Sequence, residues 1–312
     1  MSKVKVAVVG VGVWGRNIAR AFKELESEGL VELTALVDIN QKVVEEVSKN
    51  LGVKHYTSDI YDLKRFNVSA VAIATPIDKL YVTAREAISL GMHTFVEKPV
   101  AIDPKEVNDL IKISSESGVA VQPGFIVRYD PVIKTLLNRV RTTPKYIIFK
   151  RLSLRPQHRR SFPLVFDLTI HDIDVALALT KTNKVEVLSV VGLKKELETC
   201  QEIYVKALFN DTVAYFITDG LLPVKVRVVE IALNDVYYQA SLTESSLKTY
   251  GVDGVKTEQI LGEEPLVAEL RDFINNVKGI SNPARPTLHD ALKACVVANE
   301  IQQKLNCRNV EG

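Results

Sequence analysis

Two short segments carry side chains suited to moving protons or stabilising charge. Lys98 lies in Glu97-Lys98-Pro99, directly after an apolar run that predicts a strand, and open α/β sheets bind ligands at the carboxyl ends of their strands. Asp167, His171 and Asp174 follow at intervals of four and three residues, which places them on one face of a helix. An ammonium group and an imidazole together suit acid–base chemistry at a hydroxyl group.

Both segments also have structural interpretations. Most lysines are exposed surface residues, which is the alternative for Lys98. His171 stands among apolar neighbours, so a core histidine hydrogen-bonded to Asp167 is the alternative there. The same helix face could bind a metal ion, but no further group of ligands accompanies it, so no metal is expected.

A glycine-rich segment near the start of the chain, Gly10-Val-Gly12-Val-Trp-Gly15, lies between a predicted strand and a predicted helix. In a dinucleotide-binding turn the first glycine permits the tight bend, the second admits a pyrophosphate, and the third allows close helix–strand packing. The helix N-terminus would supply N–H donors to the anion. An ordinary glycine-rich turn is the alternative, and the flanking strand and helix argue against it.

Asp38 ends the next predicted strand, roughly 20 residues beyond Gly15, where these turns place a ribose-binding carboxylate. Such a carboxylate would repel a 2′-phosphate, and neither Ile39 nor Asn40 after it is cationic. NAD is therefore expected in preference to NADP, although Lys42 lies near enough in sequence to weaken that preference.

The composition is that of a globular protein. The chain has 312 residues, of which 46% are hydrophobic and 25% charged, with a net charge of +2. This length allows two domains, and the charge gives no reason to expect nucleic acid or a membrane as partner. No signal peptide or membrane span is recognisable, so a cytoplasmic location is expected. Cys200, Cys295 and Cys307 are odd in number and widely spaced, which predicts neither a disulfide framework nor a zinc site.

The first 124 residues alternate apolar strands with amphipathic helices, the pattern of a parallel sheet covered on both faces. We predict helices after the glycine-rich segment and at about 78–90 and 104–116, and strands at 4–9, 31–37, 70–74, 93–96 and 119–122. Ala74-Thr75-Pro76 falls at the end of the third of these strands, at the sheet edge expected for Lys98.

From residue 125 onward the pattern changes to successive strands with turn signals. We predict helices at about 165–179, 265–278 and 287–305, and strands at 145–150, 185–191, 203–209, 213–218, 225–232 and 237–242. The expected fold is an α/β Rossmann domain with a doubly wound parallel sheet (1–124), followed by an α+β domain with a large, mainly antiparallel open sheet (125–312). The open sheet leaves a face for a homodimer or homotetramer.

Together these segments resemble the Gfo/Idh/MocA oxidoreductases over almost the whole chain. The resemblance rests on the glycine-rich segment, Asp38, Ala74-Thr-Pro76, Glu97-Lys-Pro99, Gly124-Phe-Ile-Val-Arg128-Tyr-Asp-Pro131 and Asp167-Leu-Thr-Ile-His171-Asp-Ile-Asp174. It implies an NAD(P)-dependent dehydrogenase that moves a hydride between a carbinol carbon and nicotinamide. Many members have glycine where this chain has Thr169, a departure that bears on how the substrate fits.

The resemblance also implies residue roles. Lys98 would stabilise the developing alkoxide, His171 would take the hydroxyl proton, and Asp167 would fix the imidazole or bind a substrate hydroxyl. Which of Lys98 and His171 is the terminal base stays open. The implied cofactor-binding residues are Gly10, Gly12, Val13, Trp14, Gly15, Asp38, Thr75, Pro76, Glu97 and Lys98. The implied substrate-binding residues are Arg128, Tyr129, Arg155, Arg159, Asp167 and His171.

The expected substrate is a sugar or a nucleotide sugar. The segment from Arg151 to Arg160 carries four arginines, which suits a pyrophosphate cradle or, alternatively, a solvated basic loop. An arginine-rich loop leading into the helix of His171 resembles the branch that oxidises UDP-N-acetylglucosamine at its 3-hydroxyl. A free sugar or inositol is the alternative substrate. A non-catalytic NAD-binding regulator and an NAD-dependent glycosidase are alternatives of another class.

Overall fold

A computed structural model describes residues 3–194 and 199–309, and the chain divides into two compact units. The first contains the residues up to Ile126 together with Glu264–Leu292, and the second contains Val127–Glu263 and the residues from Lys293 onward. The expected domains 1–124 and 125–312 differ from these two units in one later segment, Glu264–Leu292, which belongs to the first unit.

The first unit has a six-stranded parallel sheet in the order β3-β2-β1-β4-β5-β6. Its strands are β1 (Val4–Val9), β2 (Val31–Val37), β3 (His55–Thr57), β4 (Ala70–Ile73), β5 (His93–Glu97) and β6 (Val121–Gly124). The connecting helices are α1 (Val13–Ser27), α2 (Gln41–Leu51), α3 (Ile77–Ser89) and α4 (Pro104–Ser117). The predicted doubly wound parallel sheet is confirmed, and β3 is a strand that the sequence pattern did not predict.

Local sequence explains where these helices begin and end. Asn40 caps α2, its side chain accepting the Val43 N–H, and Asp103 caps α4 in the same way by accepting the Lys105 N–H. Each of the two helices is followed by a glycine in the left-handed conformation, the usual residue at that position. Polar caps and terminal glycines thus define where both helices begin and end.

The second unit contains the remaining strands and most of the remaining helices. The strands are β7 (Tyr146–Ser153), β8 (Val185–Lys194), β9 (Glu202–Phe209), β10 (Thr212–Asp219), β11 (Lys225–Ala232), β12 (Tyr237–Ser241), β13 (Ser246–Gly251), β14 (Gly254–Gln259) and β15 (Cys307–Asn309). The helices of this part of the chain are α5 (Pro131–Arg139), α6 (Ile170–Thr180), α7 (Pro265–Val277) and α8 (Leu288–Lys304). Of these, α7 belongs to the first unit, and α8 begins in the first unit and continues into the second.

The nine strands of the second unit form one sheet in the order β14-β13-β12-β11-β7-β10-β9-β8-β15. Only the pairs β7–β10 and β8–β15 are parallel among the described residues, so the predicted, mainly antiparallel sheet is confirmed. The strands β13, β14 and β15 and the helix α5 were not predicted from the sequence.

Helix α7 lies in the later segment that belongs to the first unit. Its residues Leu266, Val267, Leu270, Phe273 and Ile274 recur at helical spacing and are buried in the core of the first unit together with β1, β2 and α1. The rings of Phe273 and Phe95 lie 5.9 Å apart between centroids. An apolar stripe of this width must be covered, and the sheet of the first unit provides the covering surface.

Two of the three cysteines are joined. Cys200 and Cys307 form a disulfide, with their Cα atoms 5.5 Å apart, while Cys295 is buried and free of a disulfide. The expectation that no disulfide forms is therefore wrong. The pairing was not visible in the spacing because the two residues are brought together by the parallel pairing of β15 with β8. No helix among the described residues is both long and apolar enough to span a membrane.

Candidate active site

The glycine-rich turn of the first unit is shaped by contacts within the protein at two of its glycines. Gly10 has φ of +85°, and a Cβ there would approach the Ala74 carbonyl oxygen to 2.7 Å. A Cβ at Gly15 would overlap the Gly10 carbonyl oxygen. The turn therefore requires glycine at both ends in order to bring α1 against β1 and the end of β4.

Gly12 is different, because a Cβ built there would meet no described atom within 4 Å apart from its own chain neighbours. It is the N-cap of α1, and no side chain caps the helix, so N–H groups of the first turn point out of the helix without an acidic partner on that turn. Val13 beside it is largely exposed. An open backbone approach at a helix N-terminus fits the pyrophosphate of a dinucleotide.

Asp38 follows β2 and is bound to the same turn. Its Oδ2 accepts the Val11 N–H at 2.8 Å, and its Oδ1 accepts the Asn40 N–H at 2.9 Å. Each carboxylate oxygen has two lone pairs, so the side chain is oriented by the backbone and can still accept ribose hydroxyls. The residues present thus fit an NAD-type cofactor at both its pyrophosphate and its ribose.

Glu97, at the end of β5, connects the turn to Lys98. Its Oε1 accepts the Trp14 indole N–H at 2.5 Å, and its Oε2 accepts the Lys98 backbone N–H at 3.2 Å. Glu97 is buried, and a Cβ on Gly124 would come within 3.2 Å of it, so glycine leaves room for the carboxylate. These contacts give Glu97 the role of holding Trp14 and the backbone of Lys98.

Thr75 and Pro76 lie at the end of β4, as expected. A Cβ on Gly10 would approach the Thr75 backbone nitrogen to 2.8 Å, so the two chain segments touch. The Thr75 hydroxyl is buried, and no described residue forms a hydrogen bond with it. Pro76 is the N-cap of α3 without a side-chain hydrogen bond. A buried hydroxyl beside the turn is a second observation that fits a bound dinucleotide.

In the second unit, Asp167 lies in a π-helical turn, Val165–Thr169, that runs directly into α6. Its Oδ2 accepts the Arg155 Nε–H at 2.9 Å and its Oδ1 accepts an Arg159 Nη2–H at 2.7 Å. Arg155 is buried, and its other donors reach the Gln201 side chain and the carbonyls of Arg159 and Phe162. Burial lowers the pKa of Arg155, and the charge of Asp167 opposes that shift.

These contacts revise the expected pyrophosphate cradle. The guanidinium donors of Arg155 are engaged by protein acceptors, so direct binding of a substrate by this side chain does not fit the structure. Arg159 is different because its side chain is 47% exposed, and its assignment to the substrate stays a prediction. Gln201 was not identified from the sequence, since nothing in its spacing links it to Arg155.

The two acidic residues of α6, Asp172 and Asp174, form separate buried pairs. Arg128 binds Asp174 through two hydrogen bonds of 2.7 and 2.5 Å, and Arg151 binds Asp172 through two of 2.8 and 2.5 Å. Both pairs have the geometry in which two guanidinium N–H groups reach two carboxylate oxygens. Arg128, expected to bind substrate, therefore anchors α6.

The placement of Asp167, His171 and Asp174 on one helix face stays a prediction. Asp167 lies in the π-helical turn ahead of α6, and Asp167 and Asp174 bind different arginines. His171 is 9% exposed. Tyr129 is buried, with the Lys134 ammonium 5.1 Å from its ring centroid. Within residues 3–194 and 199–309, no group of three or more His, Cys, Asp and Glu side chains is arranged to hold a metal ion.

Comparison with known proteins identifies a matching family model and several similar sequences. Residues 4–125 match the Gfo/Idh/MocA model, described as an oxidoreductase family with an NAD-binding Rossmann fold. The chain is 28% identical to the UDP-N-acetylglucosamine 3-dehydrogenase of Acidithiobacillus ferrooxidans over 89% of its own length and 90% of the relative. It is 23% identical to an inositol 2-dehydrogenase/D-chiro-inositol 3-dehydrogenase of Lactiplantibacillus plantarum, over 96% of its own length and 91% of the relative.

The same fold is found in a solved structure. The crystal form P21 of UDP-N-acetylglucosamine 3-dehydrogenase from Acidithiobacillus ferrooxidans superimposes with a TM-score of 0.89, covering 98% of both chains at 24% identity. This similarity extends through both units and supports the fold.

Proposed function

From the premise that the chain belongs to the Gfo/Idh/MocA family of NAD(P)-dependent dehydrogenases acting on CH–OH groups, we propose that it oxidises a nucleotide sugar with NAD. The observation that carries the proposal is the Glu97 carboxylate, which binds both Trp14 of the cofactor turn and the backbone of Lys98. The same carboxylate thus orients the turn and the candidate catalytic lysine.

The residue roles follow from their chemistry. When bound, the nicotinamide would accept a hydride from the carbinol carbon. The Lys98 ammonium stabilises the oxygen as it becomes negative, and the His171 imidazole takes the hydroxyl proton. Asp167 fixes the imidazole or binds a substrate hydroxyl, and its two arginine partners hold its own position. Asp38 favours NAD, because a 2′-phosphate would meet its carboxylate.

The substrate class rests on similarity and charge. The relative that is 28% identical over 89% of the chain acts on UDP-N-acetylglucosamine by name, and Arg159 offers an exposed guanidinium. We therefore assign the 3-hydroxyl of UDP-N-acetylglucosamine as the position oxidised, with free sugars and inositols as the alternative.

The test is an absorbance assay for reduced nicotinamide with UDP-N-acetylglucosamine, N-acetylglucosamine and inositols. We expect net NADH with the nucleotide sugar and a loss of roughly 100-fold or more in kcat for Lys98→Met and His171→Ala, with NAD affinity unchanged. The exposed Lys105→Met and His289→Ala are the matched controls and should keep full activity. Release of an aglycone without net NADH would indicate a glycosidase, and NAD binding without any turnover would indicate a regulator.

We also propose that the chain forms a homo-oligomer through the outer face of the nine-stranded sheet. Val191, Tyr204 and Tyr215, on three neighbouring strands, are 38%, 40% and 37% exposed. Val191 pairs with Tyr204 in the sheet register, so their side chains share a face. Light scattering on wild type and Tyr204→Glu tests whether this face is an interface between copies. A negative charge at the interface should disrupt association and yield monomers.

A further inference from the structure

Arg227 on β11 lies directly opposite Arg151 on β7 in the antiparallel register. Residues opposite each other in such a pair project from the same face of the sheet. Arg151 uses this face to bind Asp172 of α6, and both Asp172 oxygens accept hydrogen bonds from it. Two guanidinium groups therefore share a face, and the Asp172 carboxylate that binds Arg151 also raises the pKa of Arg227 through its charge.

Arg227 has no such partner. Within the part of the chain that the structure describes, its side chain forms no hydrogen bond or ion pair, while its backbone carbonyl accepts the Leu242 N–H at 2.9 Å. The charge of Asp130 raises the pKa of Arg227, but the Asp130 carboxylate caps α5 by accepting the Val132 N–H at 2.8 Å. Burial and the charge of Arg151 both lower the pKa of Arg227.

An arginine in this position costs folding free energy. Like charges directly opposite each other on neighbouring strands are destabilising, and the exposed Arg227 side chain has no hydrogen-bonded carboxylate among the described residues to offset the repulsion. Lys225, two residues earlier, adds a second cation to the same face of β11. A bound anion would neutralise part of this positive charge. The planar guanidinium is the side chain best matched to the oxygens of a phosphate.

We propose that Arg227 binds a phosphate of the substrate. The inference rests on the proposed function and deepens it, because it makes the diphosphate of a nucleotide sugar, rather than the sugar ring alone, the part recognised by the second unit. It also replaces the sequence-based assignment to Arg155, whose donors are committed to Asp167, Gln201 and backbone carbonyls.

The test compares Arg227→Gln and Arg227→Lys with Arg141→Gln, which removes an exposed arginine of the same unit. Binding of UDP to the full chain is measured by calorimetry, and KM and kcat are measured with UDP-N-acetylglucosamine. Loss of one charge-assisted contact should weaken UDP binding and raise KM by roughly 10- to 100-fold. We expect kcat and the KM for NAD to change little, Arg227→Lys to recover part of the loss, and Arg141→Gln to behave as wild type.

Thermal unfolding separates binding from a structural role. Because Arg227→Gln removes repulsion with Arg151, its melting temperature should equal or exceed that of wild type. A marked fall in melting temperature, or UDP affinity equal to wild type, would overturn the inference. So would a wild type that binds glucuronate but not UDP, since the anion would then be a carboxylate. If UDP binding depends on Arg227 while no sugar is oxidised, the phosphate site stands and the proposed function fails.

Discussion

Arg155 and Asp167 form an ion pair in which both side chains are only 2% exposed, with Nε donating to Oδ2 at 2.9 Å. Because Arg155 also reaches Gln201 and two carbonyl groups, its orientation is fixed before any substrate binds. It is therefore a positioning residue for Asp167.

The first prediction is that Arg155→Met strongly destabilises the protein. The substitution removes one guanidinium partner of the buried Asp167 carboxylate, and breaking a buried pair in this way costs about 3–5 kcal/mol. Arg159→Met is the matched control, because its half-exposed side chain contributes about 1 kcal/mol or less. Urea unfolding measures both, and equal losses in the two variants would contradict a positioning role.

The sequence predicted the first unit better than the second for a physical reason. Gly10, Gly15 and Asp38 act within one strand–turn–helix segment and the strand after it, so their spacing contains the information needed. Helix α7 was recognised as a helix, but its partner surface is set by packing against residues far away in the chain. Periodicity identifies an apolar face without identifying what covers it.

The charged residues of the second unit show the same limit. The spacing of Asp167, His171 and Asp174 predicted a shared helix face, but it did not predict that Asp167 and Asp174 pair with different arginines. Arginine–aspartate pairing could not be read from the sequence, because the arginines lie on a strand, in turns and in a loop, and only tertiary packing brings each one to its aspartate. Arg227 was overlooked for that reason, since it becomes notable only when it lies opposite Arg151.

Gly12 and Gly15 should respond differently to the same substitution. Gly15→Ala places a Cβ on the Gly10 carbonyl, so we expect a protein that is poorly folded or markedly less stable. Gly12→Ala meets no protein atom, so stability should change by about 1 kcal/mol or less, while the affinity for NADH falls at least about tenfold because the methyl group faces the pyrophosphate. Melting curves and fluorescence titration with NADH measure the two effects, and undiminished NADH affinity in Gly12→Ala would exclude this turn as the cofactor site.

Asp38 should determine the choice between NADH and NADPH. Wild type is expected to bind NADH at least about tenfold more tightly, because a 2′-phosphate would lie against the carboxylate. Asp38→Asn removes the charge but keeps one oxygen to accept the Val11 or Asn40 N–H, so the glycine-rich turn should keep its conformation. The ratio of NADH to NADPH affinity should become smaller. Titration with both cofactors measures this, with the melting temperature as the folding control. A preference unchanged by Asp38→Asn would show that other residues set it.

The ion pair between Glu258 and Arg139 should give acid-sensitive stability. Two hydrogen bonds from Arg139, at 2.6 and 3.2 Å, and one from Lys256 lower the pKa of Glu258 to about 2. Since the folded value lies below the ordinary value of 4.5, the contribution is present above pH 4.5 and is lost as the pH falls towards 2. The difference in melting temperature between wild type and Glu258→Gln should therefore narrow below pH 4.5. Arg139→Gln should weaken the same pH dependence, leaving the part due to Lys256, and a constant difference across this range would contradict the pairing.

The disulfide between Cys200 and Cys307 should stabilise the second unit, because it links the short strand β15 to the segment before β9 across a large part of the sequence. Constraining the unfolded chain in this way typically contributes about 2–4 kcal/mol. Alkylation of the denatured, unreduced protein should label one thiol, that of Cys295, and all three after reduction. Cys307→Ser and Cys200→Ser should lower the unfolding midpoint equally and abolish the effect of reductant on it, whereas Cys295→Ser should leave that effect intact. Labelling of three thiols without reductant, in protein purified under oxidising conditions, would show that the bridge does not form.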